Sequence, residues 1–198
     1  MCFGVPMEVM KLVYELDNSD ERLIQSVEEL DKAISHIVEL LDNSACLYMN
    51  KSYSSSLFFS ITVLEEVAKA HLGSHTNGNH PEKKRNVFKD HKTKHMLAAL
   101  PTVAMGSRLQ DAIGEAEMNR IMVMAKSSAL VQAREHSLYF QRENGKLKIP
   151  KEKVSRKFSR SMLLFAIEVF DDALCGLTNF SNEVAEQTDA LFEQIKNT

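Results

Sequence analysis

The stretch Ser52-Tyr53-Ser54-Ser55-Ser56-Leu57-Phe58-Phe59-Ser60-Ile61-Thr62-Val63-Leu64-Glu65-Glu66-Val67-Ala68-Lys69-Ala70-His71-Leu72 decides the fold. Wound into a helix, it places Leu57, Phe58, Phe59, Ile61, Val63, Leu64, Val67 and Ala68 around most of the circumference, so the helix needs neighbours on nearly every side. Such a helix is the centre of a bundle. Glu65, Glu66 and Lys69 interrupt it, three and four residues apart and therefore neighbours on a helix surface. Exposed, they would form an ordinary ion pair contributing about 0.3–0.5 kcal/mol. Buried, each ion would cost several kcal/mol unless partners compensate. That contrast makes the trio a candidate site as well as a candidate structural pair.

Outward from this centre, Leu23, Val27, Leu30, Ile34, Ile37, Leu41 and Ala45 form one apolar stripe, predicting a helix over 19–50 capped by Ser19 or Asp20. Residues 73–81 are rich in Gly, Ser, Asn and His and read as a mobile loop, followed by a helix from about Asp90 that stops before Pro101. Helical spacing from Leu109 to Leu138 predicts one long helix. Asn144-Gly145 then predicts a short β-hairpin, or an extended finger, near residues 138–150. Beyond Pro150 a broad apolar face runs through Phe158, Met162, Phe165 and Val169. Gly176 bends or ends that helix, and a last amphipathic helix covers 181–196.

Composition agrees with an all-α bundle. The chain has 198 residues, read as one helical domain over 1–198, with only 7 Gly and 4 Pro to break helices. Hydrophobic residues make up 44% and charged residues 26%, enough for a core and too little charge for disorder. No apolar run approaches the ~20 residues that span a bilayer, and the first residues lack a signal-peptide pattern, so a cytoplasmic protein is expected. Cys2, Cys46 and Cys175 are odd in number and far apart, which suits free thiols.

Charge is unevenly placed on a chain of net −3. Residues 1–50 hold three basic against ten acidic residues, a net −7. Residues 83–94 hold six basic residues against Asp90, a net +5, and residues 142–160 hold eight against two, a net +6. Two basic blocks on an acidic protein are the footprint of a local phosphate-binding surface, though solvated charge runs look the same. Inside the first block His91, Lys94 and His95 share one helical face. There His91 could exchange a proton while Arg or Lys side chains hold phosphate charge, the minimum equipment for metal-independent RNA cleavage through the 2′-hydroxyl. A metal site built from His75, His80, His91 and Glu65 or Glu66 is the rival reading, without an HExxH motif or regular His/Cys spacing behind it. No phosphate-loop or dinucleotide glycine motif is present, and no cofactor is implied.

Glu65-Glu66-x-x-Lys69-Ala70, then Phe88-x-x-His91-Lys92-x-Lys94, then Leu138-Tyr139-Phe140 ahead of a turn and Pro150, resembles the AbiV family of bacterial abortive-infection proteins. The likeness covers about 27–175. That family is grouped with the HEPN superfamily of small helical domains, which commonly dimerise and often act as ribonucleases through an Arg followed four to six residues later by His. Arg85-Asn86 ahead of His91 fits that spacing. The resemblance implies phage resistance by a HEPN-type ribonuclease or translation-blocking toxin acting as a homodimer, on RNA or on a phage protein. Its catalytic residues would be Glu65, Glu66, Lys69, His91 and Lys94, with Arg85, Arg134 and Tyr139 as substrate contacts. His91 would be the acid/base, with Lys69 and Lys94 on the phosphate and a glutamate orienting them. The alternative is a non-catalytic helical module that sequesters a phage or host translation protein.

Overall fold

The computed structural model describes residues 22–80, 85–105 and 107–198. Its element order is α1 (Val27–Met49), α2 (Tyr53–Gly73), β1 (Asn79–His80), β2 (Arg85–Asn86), α3 (His91–Met105), α4 (Ser107–Ile113), α5 (Glu115–Lys126), α6 (Ala129–Leu138), β3 (Gln141–Glu143), β4 (Lys146–Lys148), α7 (Pro150–Lys153), α8 (Arg156–Leu174) and α9 (Asn179–Lys196). This is an all-α bundle carrying two small antiparallel hairpins.

The apolar circumference of α2 is satisfied from four sides, by α1, α3, α6 and α8. Leu57, Ile61, Val63, Leu64 and Val67 are all buried at its core. Truncating Leu57, Ile61 or Leu64 to Ala would cost about 2–5 kcal/mol. Against it lies α8, buried continuously from Ser161 to Phe170. The two helices are the paired axis of the bundle. The small residues Ser44, Ser56 and Ser60 let α1 approach α2 closely, and their hydroxyls satisfy one another: Ser44 Oγ donates to the Ser56 carbonyl at 2.9 Å. The outer helix α9 packs on α1 and α8. Its last carbonyls receive Arg160 of α8, Nε reaching the Ile195 carbonyl at 3.1 Å, which caps the negative end of the helix, and Arg156 reaches the Thr198 carbonyl just past it.

Several boundaries differ from expectation. The proposed caps Ser19 and Asp20 lie outside the described residues. The helix itself begins at Val27, where Ser26 accepts from the Glu29 amide at 3.2 Å. Helix α3 runs through Pro101 to Met105. Burial of Ala98, Ala99, Leu100 and Thr102 offsets the one backbone bond that proline removes. The single long helix expected from Leu109 to Leu138 is three, because Gly114 (φ 84°) and Ser128 (φ 66°) take left-handed backbone between them. The hairpin at Asn144-Gly145 forms as read, both residues having positive φ. Part of the loop after α2 forms a second hairpin, in which Asn79 pairs with Asn86 and His80 with Arg85.

This second hairpin aims α3. Asn86 donates to the Asn77 carbonyl at 3.0 Å, the Val87 amide donates to the Gly78 carbonyl at 2.8 Å, and Asp90 accepts from the Thr93 amide at 3.3 Å to start the helix. The Phe88 ring lies against Gly78, where a Cβ would sit 2.4 Å from the ring. Gly78 also has φ 76°. A Gly78→Ala variant therefore meets both strain and clash, of order 1–3 kcal/mol. Thermal unfolding followed by circular dichroism should show a melting temperature lower by roughly 2–12 °C. A variant melting with the wild type would contradict the packing described.

Candidate functional site

Four side chains from two helices converge on one carboxylate. Glu65 projects from α2 with 3% of its side chain exposed. Its Oε2 accepts from His91 Nδ1 at 2.7 Å, from Lys94 Nζ at 2.8 Å and from Arg134 Nη1 at 3.3 Å, while Oε1 accepts from His95 Nε2 at 3.0 Å and lies 3.1 Å from the same guanidinium nitrogen as an ion pair. A carboxylate offers about four acceptor positions, and here all are taken. His91, Lys94 and His95 reach it together because spacings of three and four put them on one face of α3, which packs on α2. Arg134 comes from α6, which packs on the same helix.

Burial would raise the Glu65 carboxyl's pKa. The hydrogen bonds from His95 and Lys94, and the Lys94 charge, outweigh it and bring the value down to about 2. Glu65 is thus a fixed anion rather than a proton acceptor. His95 is wholly buried, and burial pushes its pKa down against the pull of Glu65, so it stays neutral and donates from Nε2. Its Nδ1 and the Arg134 Nε are buried without a partner among the described residues.

His91 differs from its neighbours in access: 41% of its side chain is exposed. With Nδ1–H committed to Glu65, its Nε2 carries the free lone pair and accepts from Arg134 Nη2 at 3.4 Å. The tautomer follows from these partners. His91 lines a cleft of about 600 Å³ together with Asn86, Lys89, Asp90, Lys92, Ser128 and Val131. The Lys94 and Arg134 cations exceed the single Glu65 charge by one, so the wall behind the cleft is positive.

The expected site residues divide. Glu65, His91, Lys94 and Arg134 are brought together. Glu66 and Lys69 are not: Lys69 Nζ donates to Glu66 at 2.7 Å, and both line a groove between α2 and α1 with Ile24, His36 and Ile37. Glu66 lies about 100° around the helix from Glu65, and Lys69 leans toward it, so one residue of offset sends the pair to a different neighbour. Lys94, expected on a phosphate, is 6% exposed with its ammonium on Glu65 inside the fold. Tyr139, just past α6, is 60% exposed and is not among the side chains hydrogen-bonded to Glu65. Arg85 pairs through its backbone in β2, and its side chain lies outside the described residues. The arginine that meets His91 is Arg134, 43 residues away in sequence. His95 was visible as a member of the helical face but carried no assigned role.

The basic blocks are also partly consumed. Arg160 caps α9, Arg156 bonds to the Thr198 carbonyl just past it, and Lys153 pairs with Glu143. Lys89 and Lys92 remain exposed at the cleft. Among the described residues no three His, Cys, Asp or Glu side chains are grouped to hold a metal ion, and His80 of the metal reading has its side chain outside them. Elsewhere Arg108 ties α4 to Glu168, Asp171 and Asp189 of α8 and α9 and stacks on Phe192 at 4.1 Å, a clamp between outer and central helices.

A family model described as AbiV, of the HEPN type, matches residues 25–171, most of the chain. The chain belongs to the AbiV family. It is thereby an abortive-infection protein of the HEPN superfamily, whose domains often dimerise. No curated protein and no solved structure matches it significantly. No described helix is long and apolar enough to cross a membrane.

Removing the hub isolates a buried Lys94 ammonium. Glu65→Ala should therefore destabilise this AbiV-family protein by about 3–5 kcal/mol, a fall in melting temperature on the order of 6–20 °C. Because the folded-state pKa of Glu65 is depressed, its contribution is complete above its ordinary 4.5 and is lost as pH falls toward about 2. The depressed His95 acts in the same direction below its ordinary 6.5. Wild-type melting temperature should drop more steeply on acidification than that of Glu65→Gln. Parallel pH profiles for the two proteins would show that Glu65 is not held as an anion.

Proposed function

We propose that this AbiV-family protein is a metal-independent ribonuclease whose reacting groups are His91 and Arg134. The single observation that carries this reading is that His91, fixed through Nδ1 by a saturated carboxylate, presents Nε2 beside a guanidinium at the edge of an open cleft. In the reaction His91 Nε2 takes the proton of a ribose 2′-hydroxyl. The 2′-oxygen attacks the adjacent phosphorus, the bond from phosphorus to the 5′-oxygen breaks, the leaving oxygen takes a proton from water, and the hydroxide so formed takes the 2′-proton back from His91. Arg134 stabilises the charge that develops on the phosphoryl oxygens, for which a planar guanidinium is suited.

Glu65, Lys94 and His95 are positioning residues in this scheme. Glu65 holds the His91 tautomer and ring plane, as a carboxylate behind a working imidazole does. Lys94 and His95 keep Glu65 charged and immobile. Lys89 and Lys92 draw the polyanion to the cleft. A homodimer belongs to this proposal, since HEPN domains often dimerise.

The test uses purified protein, a defined RNA and a chelator. Wild type should cut with the chelator present and leave a 2′,3′-cyclic phosphate. His91→Ala should lower the rate about 10²–10⁴-fold, and Arg134→Ala by about 10² or more. Both variants should lose phage protection in a plaque assay. Uncut RNA with wild type, together with full protection by a folded His91→Ala, would instead establish the non-catalytic binding module.

A further inference from the structure

The hairpin after α6 has an unusual surface. Arg142 pairs across it with Leu147, so the two share one face. By alternation Phe140 and Ile149, two residues from each, fall on that same face. All four are exposed, Phe140 by 69%, Leu147 by 55% and Ile149 by 45%. The opposite face carries Glu143, which is held by Lys153 of α7. The apolar face is turned outward, and on the other face Gln141 and Lys148 are half-buried while Glu143 and Lys146 are exposed.

Arg142 Nη1 donates to the Gly145 carbonyl at 2.8 Å, which lays the guanidinium along the hairpin instead of leaving it free in solvent. The result is a phenyl ring, a fixed guanidinium plane and two aliphatic side chains in one strip, with Lys151 exposed two residues past Ile149 and Lys146 exposed on the other face of the same hairpin. Flat apolar and guanidinium surfaces flanked by cations match unstacked nucleobases joined by phosphates. A stable protein interface needs about 20–30 residues a side, far more than four side chains supply. The strip also continues from the helix that bears Arg134, whose last residue Leu138 lies only about 6 Å further along the axis.

We infer that the β3–β4 hairpin is a base-stacking platform that selects single-stranded over duplex RNA, with Phe140 and Arg142 as the stacking groups. The inference rests on the reading of the neighbouring His91 site as one that acts on RNA. Phe140 and Arg142 are positioning residues for the strand and touch no reacting atom.

The experiment is fluorescence anisotropy with a labelled 2′-O-methyl oligoadenylate, which lacks the attacking hydroxyl and stays whole, measured alone and annealed to its complement. Wild type should bind the single strand more tightly than the duplex. Phe140→Ala and Arg142→Gln should each weaken single-strand binding about tenfold, the loss of one stacked base, while Phe140→Trp should retain it and duplex binding should not change. Because these side chains are exposed, the variants should keep the wild-type melting temperature. Single-strand binding within about twofold of wild type in both alanine and glutamine variants would overturn the platform. Wild-type RNA cleavage alongside that result would leave the His91 proposal standing, whereas a wild type that neither binds nor cuts RNA would end both. A Phe140→Ala protein that changes oligomeric state by sedimentation, with RNA binding intact, would make the strip a contact between copies and overturn the inference.

Discussion

A carboxylate sealed inside a helical bundle survives as an anion only if its surroundings replace water, and Glu65 obliges three helices to do so. One face of α3 supplies two imidazoles and an ammonium, and α6 supplies a guanidinium. Each partner is held by the same two oxygens, so the packing of α2 against α3 and α6 and the charge balance of the site are one constraint. Desolvation alone would neutralise the group, but paired donors reverse that preference. The consequence reaches the surface at the half-exposed ring of His91, whose orientation is inherited from buried partners, and at the partly exposed guanidinium of Arg134 beside it.

Much of this was legible in sequence. The apolar circumference of residues 52–72 pointed to a central helix, and Asn144-Gly145 located the β3–β4 hairpin, since both signals are local. The three-four spacing of His91, Lys94 and His95 showed a shared face. Invisible was which of Glu65 and Glu66 that face would meet, because the two differ by one residue and only the crossing of α2 with α3 distinguishes them. Arg134 was seen as a substrate contact, but its place beside His91 depends on the breaks at Gly114 and Ser128 that fold one long helix into three. The Arg108 clamp joins residues 60 to 81 positions apart and left no periodic trace.

The same reasoning explains why the basic blocks misled in part. Net charge along a segment does not say which cations are spent internally. Arg156 and Arg160 bond to carbonyls at the end of the chain, Lys153 holds Glu143 and Lys94 neutralises Glu65, so four of the fourteen basic residues in the two blocks are spent within the structure. Lys89 and Lys92 at the cleft, and Arg142, Lys146 and Lys151 at the hairpin, remain on either side of Arg134. Family membership in AbiV explains why such a protein exists in a cell under phage attack, and the residues about Glu65 say where its chemistry would be found.

The central claim is that one saturated carboxylate dictates the state of both imidazoles. The most direct measurement is the nitrogen-15 chemical shift and proton coupling of the His91 and His95 rings, read by NMR at a pH where both are neutral. The account predicts a proton on Nδ1 of His91 and on Nε2 of His95, with the assignment of His91 lost in Glu65→Gln. A His91 ring protonated on Nε2 with a bare Nδ1 in the wild type would contradict it.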